Sequence, residues 1–267
     1  MNVRLEGLVG VAAHGADAAE FLNRLLTQDN RELAVGASQA TARLDDRGRL
    51  QALYSLFRVE DRTWILVAES GTGQAHADWL DRYLFSEDVV LRAIDGGGWF
   101  TDEAPDSAAQ GLRCPRLRWG RDGFDVLESP VPADAVGYES LDAMRIRLGE
   151  LAWPDDVPPG ALLHDVGLGG VASLHKGCFL GQETVHRVVA RGEVRKALVG
   201  LVLSESASSF ASIERDGAVI GRVGRVGLDP SLGRIALGVV RKPFDQVGTQ
   251  VEVGAARAEV VALPMSG

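Results

Sequence analysis

Lys176-Gly-Cys-Phe-Leu-Gly-Gln-Glu183, inside the segment 175–187, is the run from which the rest of this chain is read. A helix is predicted to begin at Gly181 or Gln182, with Val185, Val188 and Val189 as its buried stripe. Cys178 then lies just ahead of a helix N-terminus, where the positive end of the dipole favours thiolate. Lys176 adds a cation if the two side chains share one face. Gly177 has no side chain and lets backbone or ligand approach, and Glu183 falls in the first helical turn. The plainer reading is that a free cysteine is a small buried hydrophobe. Cys114, beside Pro115, is read as structural on that ground. His164, His175, Cys178 and His186 share the region, but no spacing matches a zinc pattern, and no metal is expected.

Upstream, Asp17-Ala-Ala-Glu20 has capping-box form ahead of Phe21, Leu22, Leu25 and Leu26, which predicts a helix over 17–27. Strands are predicted at 40–44, 50–59 and 63–68, joined by Asp45-Asp-Arg-Gly48 and Glu60-Asp-Arg62 as an antiparallel meander. A helix near 73–85 carries Trp79, Leu80, Tyr83 and Leu84 on one face, and 89–94 returns as a strand. Residues 95–110 read as a surface loop, followed by strands at 112–118 and 124–128. A helix near 139–149 is expected to bury Leu141, Met144 and Leu148. Helices among antiparallel strands indicate an α+β class. From Ala197 onward short apolar runs alternate with glycine-bearing turns, the pattern of a small β-barrel or sandwich. The boundary is placed near 195, giving an α+β domain over 1–195 and a barrel over 196–267.

With 267 residues, 46% hydrophobic and 24% charged, the composition is that of a folded globular protein. No apolar run is long enough to span a bilayer, and Glu6 interrupts any leader pattern, so a cytoplasmic protein without membrane association is expected. A net charge of −9 disfavours direct nucleic-acid binding. Two local clusters run against that average: Arg113, Arg116, Arg118 and Arg121, then Arg187, Arg191, Arg195 and Lys196. Each reads either as a solvated face or as a landing site for an anionic small molecule.

The run 176–183 resembles the K-G-C-[FY]-x-G-Q-E signature of the YgfZ family, a branch of the aminomethyltransferase-like superfamily. Phe21-Leu22 with Leu26-Thr-Gln-Asp29 is similar to the family's F-L-x(n)-T-x-D element, and Asp46-Arg-Gly-Arg-Leu50 to its D-x-x-G-R turn. Met144-Arg-Ile-Arg-Leu-Gly149 resembles the helix before the central loop, and the likeness covers nearly the whole chain. The resemblance implies a cloverleaf-like arrangement that accepts tetrahydrofolate and a role in assembling or repairing iron–sulfur clusters in client proteins, including tRNA-modifying enzymes. It implies Cys178 and Lys176 as the working centre, with Gly177, Gly181, Gln182, Glu183, Arg187 and Arg147 toward the folate. Two departures bear on the chemistry. The aminomethyltransferases carry an aspartate pair where this chain has Gly48-Arg-Leu-Gln-Ala-Leu-Tyr54, and a pterin-reading Glu where it has Arg147. A guanidinium only donates, so it cannot accept from an aminopyrimidine edge as a carboxylate does. The alternatives are a tetrahydrofolate-dependent aminomethyl- or methyltransferase, and a non-catalytic adaptor for client proteins.

Overall fold

The computed structural model describes residues 1–103, 111–192 and 194–266. The chain forms two compact units, one of residues 1–138 and 171–184, the other of 139–170 and 185–267. Among the described residues, no helix is long and apolar enough to cross a membrane.

The first unit holds two five-stranded sheets. One has the order β3 (Ser38–Leu44), β4 (Leu50–Glu60), β5 (Thr63–Ala68), β2 (Val9–His14), β6 (Val90–Ile94), with every neighbouring pair antiparallel. The β3–β4 turn closes because Asp45 Oδ1 accepts the backbone N–H groups of Arg47 and Arg49 at 2.9 and 2.8 Å. Helices α1 (Ala18–Leu25) and α2 (Gly73–Asp81) pack on this sheet, and Phe21, Leu22, Leu56, Trp64, Leu66 and Leu80 form its core. Each such side chain contributes about 1.5–3 kcal/mol through burial. The capping box expected at Asp17 is absent. The Asp17 side chain makes no cap bond to α1, and its Oδ2 instead accepts the Asp88 N–H at 2.8 Å, pinning the approach to β6. Thr72 does cap α2, accepting the Ala75 N–H at 3.0 Å.

The second sheet runs β10 (Val136–Gly137), β1 (Asn2–Leu5), β7 (Gly98–Thr101), β9 (Arg121–Leu127), β8 (Leu112–Arg118). β1 and β10 are parallel, and the other pairs are antiparallel. β7 corrects the loop reading of 95–110: all four of its residues are buried at the centre of the sheet. Four residues opening on glycine are too few to display an alternation. Residues 104–110 of that expected loop lie outside the described residues. In the first basic cluster, Arg118 is no anion landing site. It is buried, with Nε and Nη2 donating to Asp125 at 2.6 and 2.9 Å and Nη1 lying 2.9 Å from Glu69.

The second unit is built on a closed barrel, β11 (Lys196–Leu203), β14 (Gly233–Arg241), β13 (Ala218–Asp229), β12 (Ser212–Arg215), β15 (Gln250–Val253), β16 (Ala256–Val261). Leu201, Ile213, Val223, Val240, Val253 and Val260 fill its interior. Helix α3 (Asp142–Leu148) packs on β13 and β14 through Ile146, against Ile235, Leu237 and Met265. Its expected apolar face is not the packed one: Met144 is 37% exposed, whereas Arg145 and Ile146 are buried. Arg145 turns inward because Asp142, Asp156 and the Glu150 carbonyl accept its guanidinium there. Helix α4 (Gln182–Arg191) begins where the signature predicts. Only Val185 of its expected stripe is buried, and Val189 is 44% exposed.

Candidate functional site

The site is assembled from two segments of the first unit, 23–29 at the end of α1 and 171–184. Thr27 joins them. Fully buried, its Oγ1 donates to the Val171 carbonyl at 2.6 Å and accepts the Ala42 N–H at 2.9 Å, while its own carbonyl accepts the Ser173 N–H at 3.0 Å. One threonine thus ties the helix end, β3 and the approach to the signature.

Lys176 is buried beneath the same helix end. Its Nζ donates to the carbonyls of Asn23, Leu26 and Gln28 at 2.5, 2.5 and 3.0 Å. The last carbonyls of a helix have no partner within it, and an ammonium placed there satisfies them and opposes the negative end of the dipole. Burial pushes the amine down to about 8. At pH 7 it remains largely an ammonium, with three N–H groups for three carbonyls. Asp29 stands nearby, held down to about 2 chiefly by its hydrogen bond from Arg31, with a smaller contribution from Lys176. Lys176 therefore faces the body of the unit while Cys178 is exposed, so the two do not share one face.

The rest of the signature is anchored in the same way. Phe179 is buried, and its N–H donates to Gln182 Oε1 at 3.3 Å while its carbonyl accepts the Gln182 N–H at 3.2 Å. Gly181, with φ of +78°, lies against the β3–β4 turn. A Cβ there would stand 2.4 Å from the Asp45 carbonyl oxygen and 2.9 Å from the Gly48 Cα. Gly48, with φ of +76°, is excluded from bearing a side chain by Thr184 on the other side of the same contact. The two glycines are what allow the turn and the signature loop to touch. Gly181→Ala is expected to lower unfolding stability by more than 1 kcal/mol, roughly the effect of forcing a side chain into a left-handed position. Equilibrium denaturation checks this, and an unchanged midpoint would remove the packing argument.

Lys176, Phe179 and Gly181 thus clamp the loop from beneath, and Gly177 and Cys178 are what it presents to solvent. Cys178 opens on a groove of about 510 Å³ lined by, among others, Glu20, Asn23, Arg24, Tyr83 and Phe179. Of the residues expected toward a cofactor, Gly181 and Gln182 are engaged within the loop itself. Glu183 and Arg187 are exposed on α4. Arg147 lies in the other unit, with Nη1 near Asp229 Oδ2 at 3.3 Å and Ser231 Oγ at 3.0 Å, and Nε donating to the Met265 carbonyl at 3.3 Å. Cys114 is buried on β8, where desolvation, with Asp125 beside it, pushes the thiol well up. His175 and His186 are exposed.

A second and larger cleft of about 810 Å³ lies in the same unit between β3–β4 and β8–β9. Its lining includes Gln39, Ser55, Arg116, Asp122 and Phe124. Arg116 donates from Nη2 to Glu69 at 3.1 Å, and its buried Nε has no hydrogen-bond partner. Sequence reading singled out none of these five for a site except Arg116, as one member of a basic cluster. The others are scattered over three strands, β3, β4 and β9, and converge only when the two sheets do.

The chain is similar to known proteins in sequence and in fold. Residues 5–98 match the GCVT N-terminal domain, and residues 196–266 match the glycine cleavage T-protein C-terminal barrel domain. An aminomethyltransferase of Herpetosiphon aurantiacus is 24% identical over 307 residues, spanning 94% of this chain and 82% of that protein. One from Streptomyces avermitilis is 24% identical over 308 residues, spanning 95% and 83%. The crystal structure of glycine cleavage system aminomethyltransferase T from Bartonella henselae is similar in fold, with a TM-score of 0.85 at 22% identity over 98% of this chain and 85% of that one.

Proposed function

We propose, on the premise that this chain belongs to the glycine-cleavage T-protein-like superfamily, that it is a folate-binding factor supporting assembly or repair of iron–sulfur clusters in client enzymes, tRNA-modifying ones among them. The observation that carries this reading is the clamped signature loop. Three anchors from a buried ammonium, a buried phenyl ring and a left-handed glycine are spent on a loop whose outward product is one thiol. A cysteine used only for packing would be buried, as Cys114 is.

The large cleft fits a folate. Its buried Arg116 Nε makes no hydrogen bond, the Asp125 carboxylate standing 3.8 Å away, and folate brings carboxylates and carbonyls that can accept from it. Asp122 offers the acceptor for an aminopyrimidine edge that Arg147 cannot be, Gln39 and Ser55 add hydrogen bonding, and Phe124 provides an aromatic wall. Folate bound there would serve as a carrier of one-carbon units. The role of the protein's own groups is to orient that ligand and to hold the Cys178 thiol where a client can reach it. Aminomethyl transfer of the glycine-cleavage type is not the reading, since β4 opens on Leu50-Gln-Ala-Leu-Tyr54 without a carboxylate.

Calorimetric titration with tetrahydrofolate tests the cofactor. Saturable one-to-one binding is expected, unchanged in Cys178→Ala and weakened about tenfold in Asp122→Asn, the loss of one charge-assisted hydrogen bond. Cells lacking the protein test the thiol: Cys178→Ala should fold and bind folate yet fail to restore an iron–sulfur enzyme. Absence of folate binding to the unaltered protein, or full rescue by Cys178→Ala, would sink the corresponding half of the proposal.

A further inference from the structure

The groove beside Cys178 contains a feature that neither packing nor folate binding uses. Asn23 lines it, although the residue as a whole is only 4% exposed. Its Oδ1 accepts the Asn30 N–H at 3.2 Å, and among the described residues its Nδ2 has no acceptor. That amide is not sealed from solvent, so a ligand in the groove can supply the acceptor that the protein does not. The thiol lines the same groove, whose volume of about 510 Å³ falls within the range of small-molecule sites. Tyr83 and Phe179 give it aromatic walls. Arg24 and Arg31, half exposed at its rim, are each paired to one carboxylate, Glu87 and Asp29, and keep guanidinium donors to spare, while Glu20 sets one carboxylate against them.

A ligand that meets all of these must carry sulfur for the thiol, an amide carbonyl for Asn23, and a peptide-sized body for the groove. We infer that Cys178 is a reversible thiolation site for a small cysteinyl peptide, captured from its disulfide form with its carbonyl on Asn23. In the step, the Cys178 thiolate attacks one sulfur of the peptide disulfide. The new S–S bond forms as the old one breaks, and the departing peptide thiolate leaves with the electron pair and takes up a proton. Cys178 is oxidised and half of the disulfide is reduced. The chain's other cysteine, Cys114, is 1% exposed on β8 and cannot resolve the adduct, so a second external thiol must release it. Thiolation caps the one thiol the loop displays and so switches it off reversibly. The inference shares Cys178 with the function proposed above, but it does not involve folate.

The test uses glutathione disulfide as probe and hydroxyethyl disulfide, which has no amide carbonyl, as reference. Adducts are followed by intact mass and located by peptide mapping, on the folded protein and on the denatured chain. The folded protein should form a single adduct at Cys178, removable by dithiothreitol. Its preference for glutathione disulfide should exceed that of the denatured chain by about 3–10-fold, the worth of one hydrogen bond. Asn23→Asp keeps the acceptor for Asn30 and removes the donor, and should abolish the preference while leaving reactivity toward the reference disulfide. If that variant does not fold, Tyr83→Ala, which removes a groove wall, should lower the preference in its place. A preference equal to that of the denatured chain, an adduct on Cys114, or none at all would overturn the inference. Each readout stands whether or not tetrahydrofolate binds.

Discussion

Lys176→Met is expected to lower stability by about 3 kcal/mol, because three carbonyls at a buried helix end lose their donor together. For a protein of this size that corresponds to a fall of about 6–12 °C in thermal midpoint. The replacement fills a similar volume, so the loss is polar rather than a cavity effect. Lys176→Arg should not rescue it. A planar guanidinium fork cannot direct donors to three carbonyls converging on one atom. Thermal melting of the three proteins checks this, with Cys178→Ala as the control that keeps the wild-type midpoint. Should Lys176→Met melt with the parent while losing function, Lys176 would be a reacting group rather than an anchor. The expected order makes it an anchor, with its effect on function passing through the position of Cys178.

Asp156→Ala should destabilise the barrel unit by about 3–5 kcal/mol, the usual result of stranding a buried charge. Asp156 is 3% exposed and accepts from the Arg145 guanidinium, from the Ala152 N–H at 2.8 Å and from the Arg225 N–H at 2.9 Å. Those bonds fasten the segment 142–156 to strand β13 through a single carboxylate. Removing it takes from Arg145, itself 2% exposed, its most deeply buried carboxylate, while Asp142 and the Glu150 carbonyl still accept from it. Hydrogen exchange should show lost protection over α3 and the adjoining part of β13, with the first unit's sheets unchanged. Exchange identical to that of the parent would mean that Ile146 packing together with the Asp155–Arg225 and Arg147–Asp229 pairs suffices to hold the helix.

Much of the fold was legible along the chain because its causes are local. The β3–β4 turn follows from one aspartate closing on the next four residues, and the barrel strands from short apolar runs between glycine turns. The signature run announced both its helix and a notable cysteine. Local reading failed where a competing partner came from elsewhere in the chain. Asp17 looked like a helix cap but was taken by Asp88, 71 residues on. The apolar face assigned to α3 gave way to Arg145, because a buried carboxylate outweighs a methionine side chain in deciding which way a short helix turns. β7 was hidden because four central residues carry too little pattern.

The site divides along the same line. The sequence by itself singled out candidates: the lysine, the cysteine and the glycines of 176–183, and the Thr27 element near the end of α1. It also determined that the stretch 48–54 carries no carboxylate, since residue identity alone settles that. Only the tertiary structure decided what each residue does. It turned Lys176 inward to carbonyls 148 to 153 residues away, set Cys178 outward, and brought Asn23 into the lining of its groove. The reason is physical. Turn and helix signals act over a few residues, whereas the direction of a side chain is set by which distant donors and acceptors must be satisfied once water is excluded.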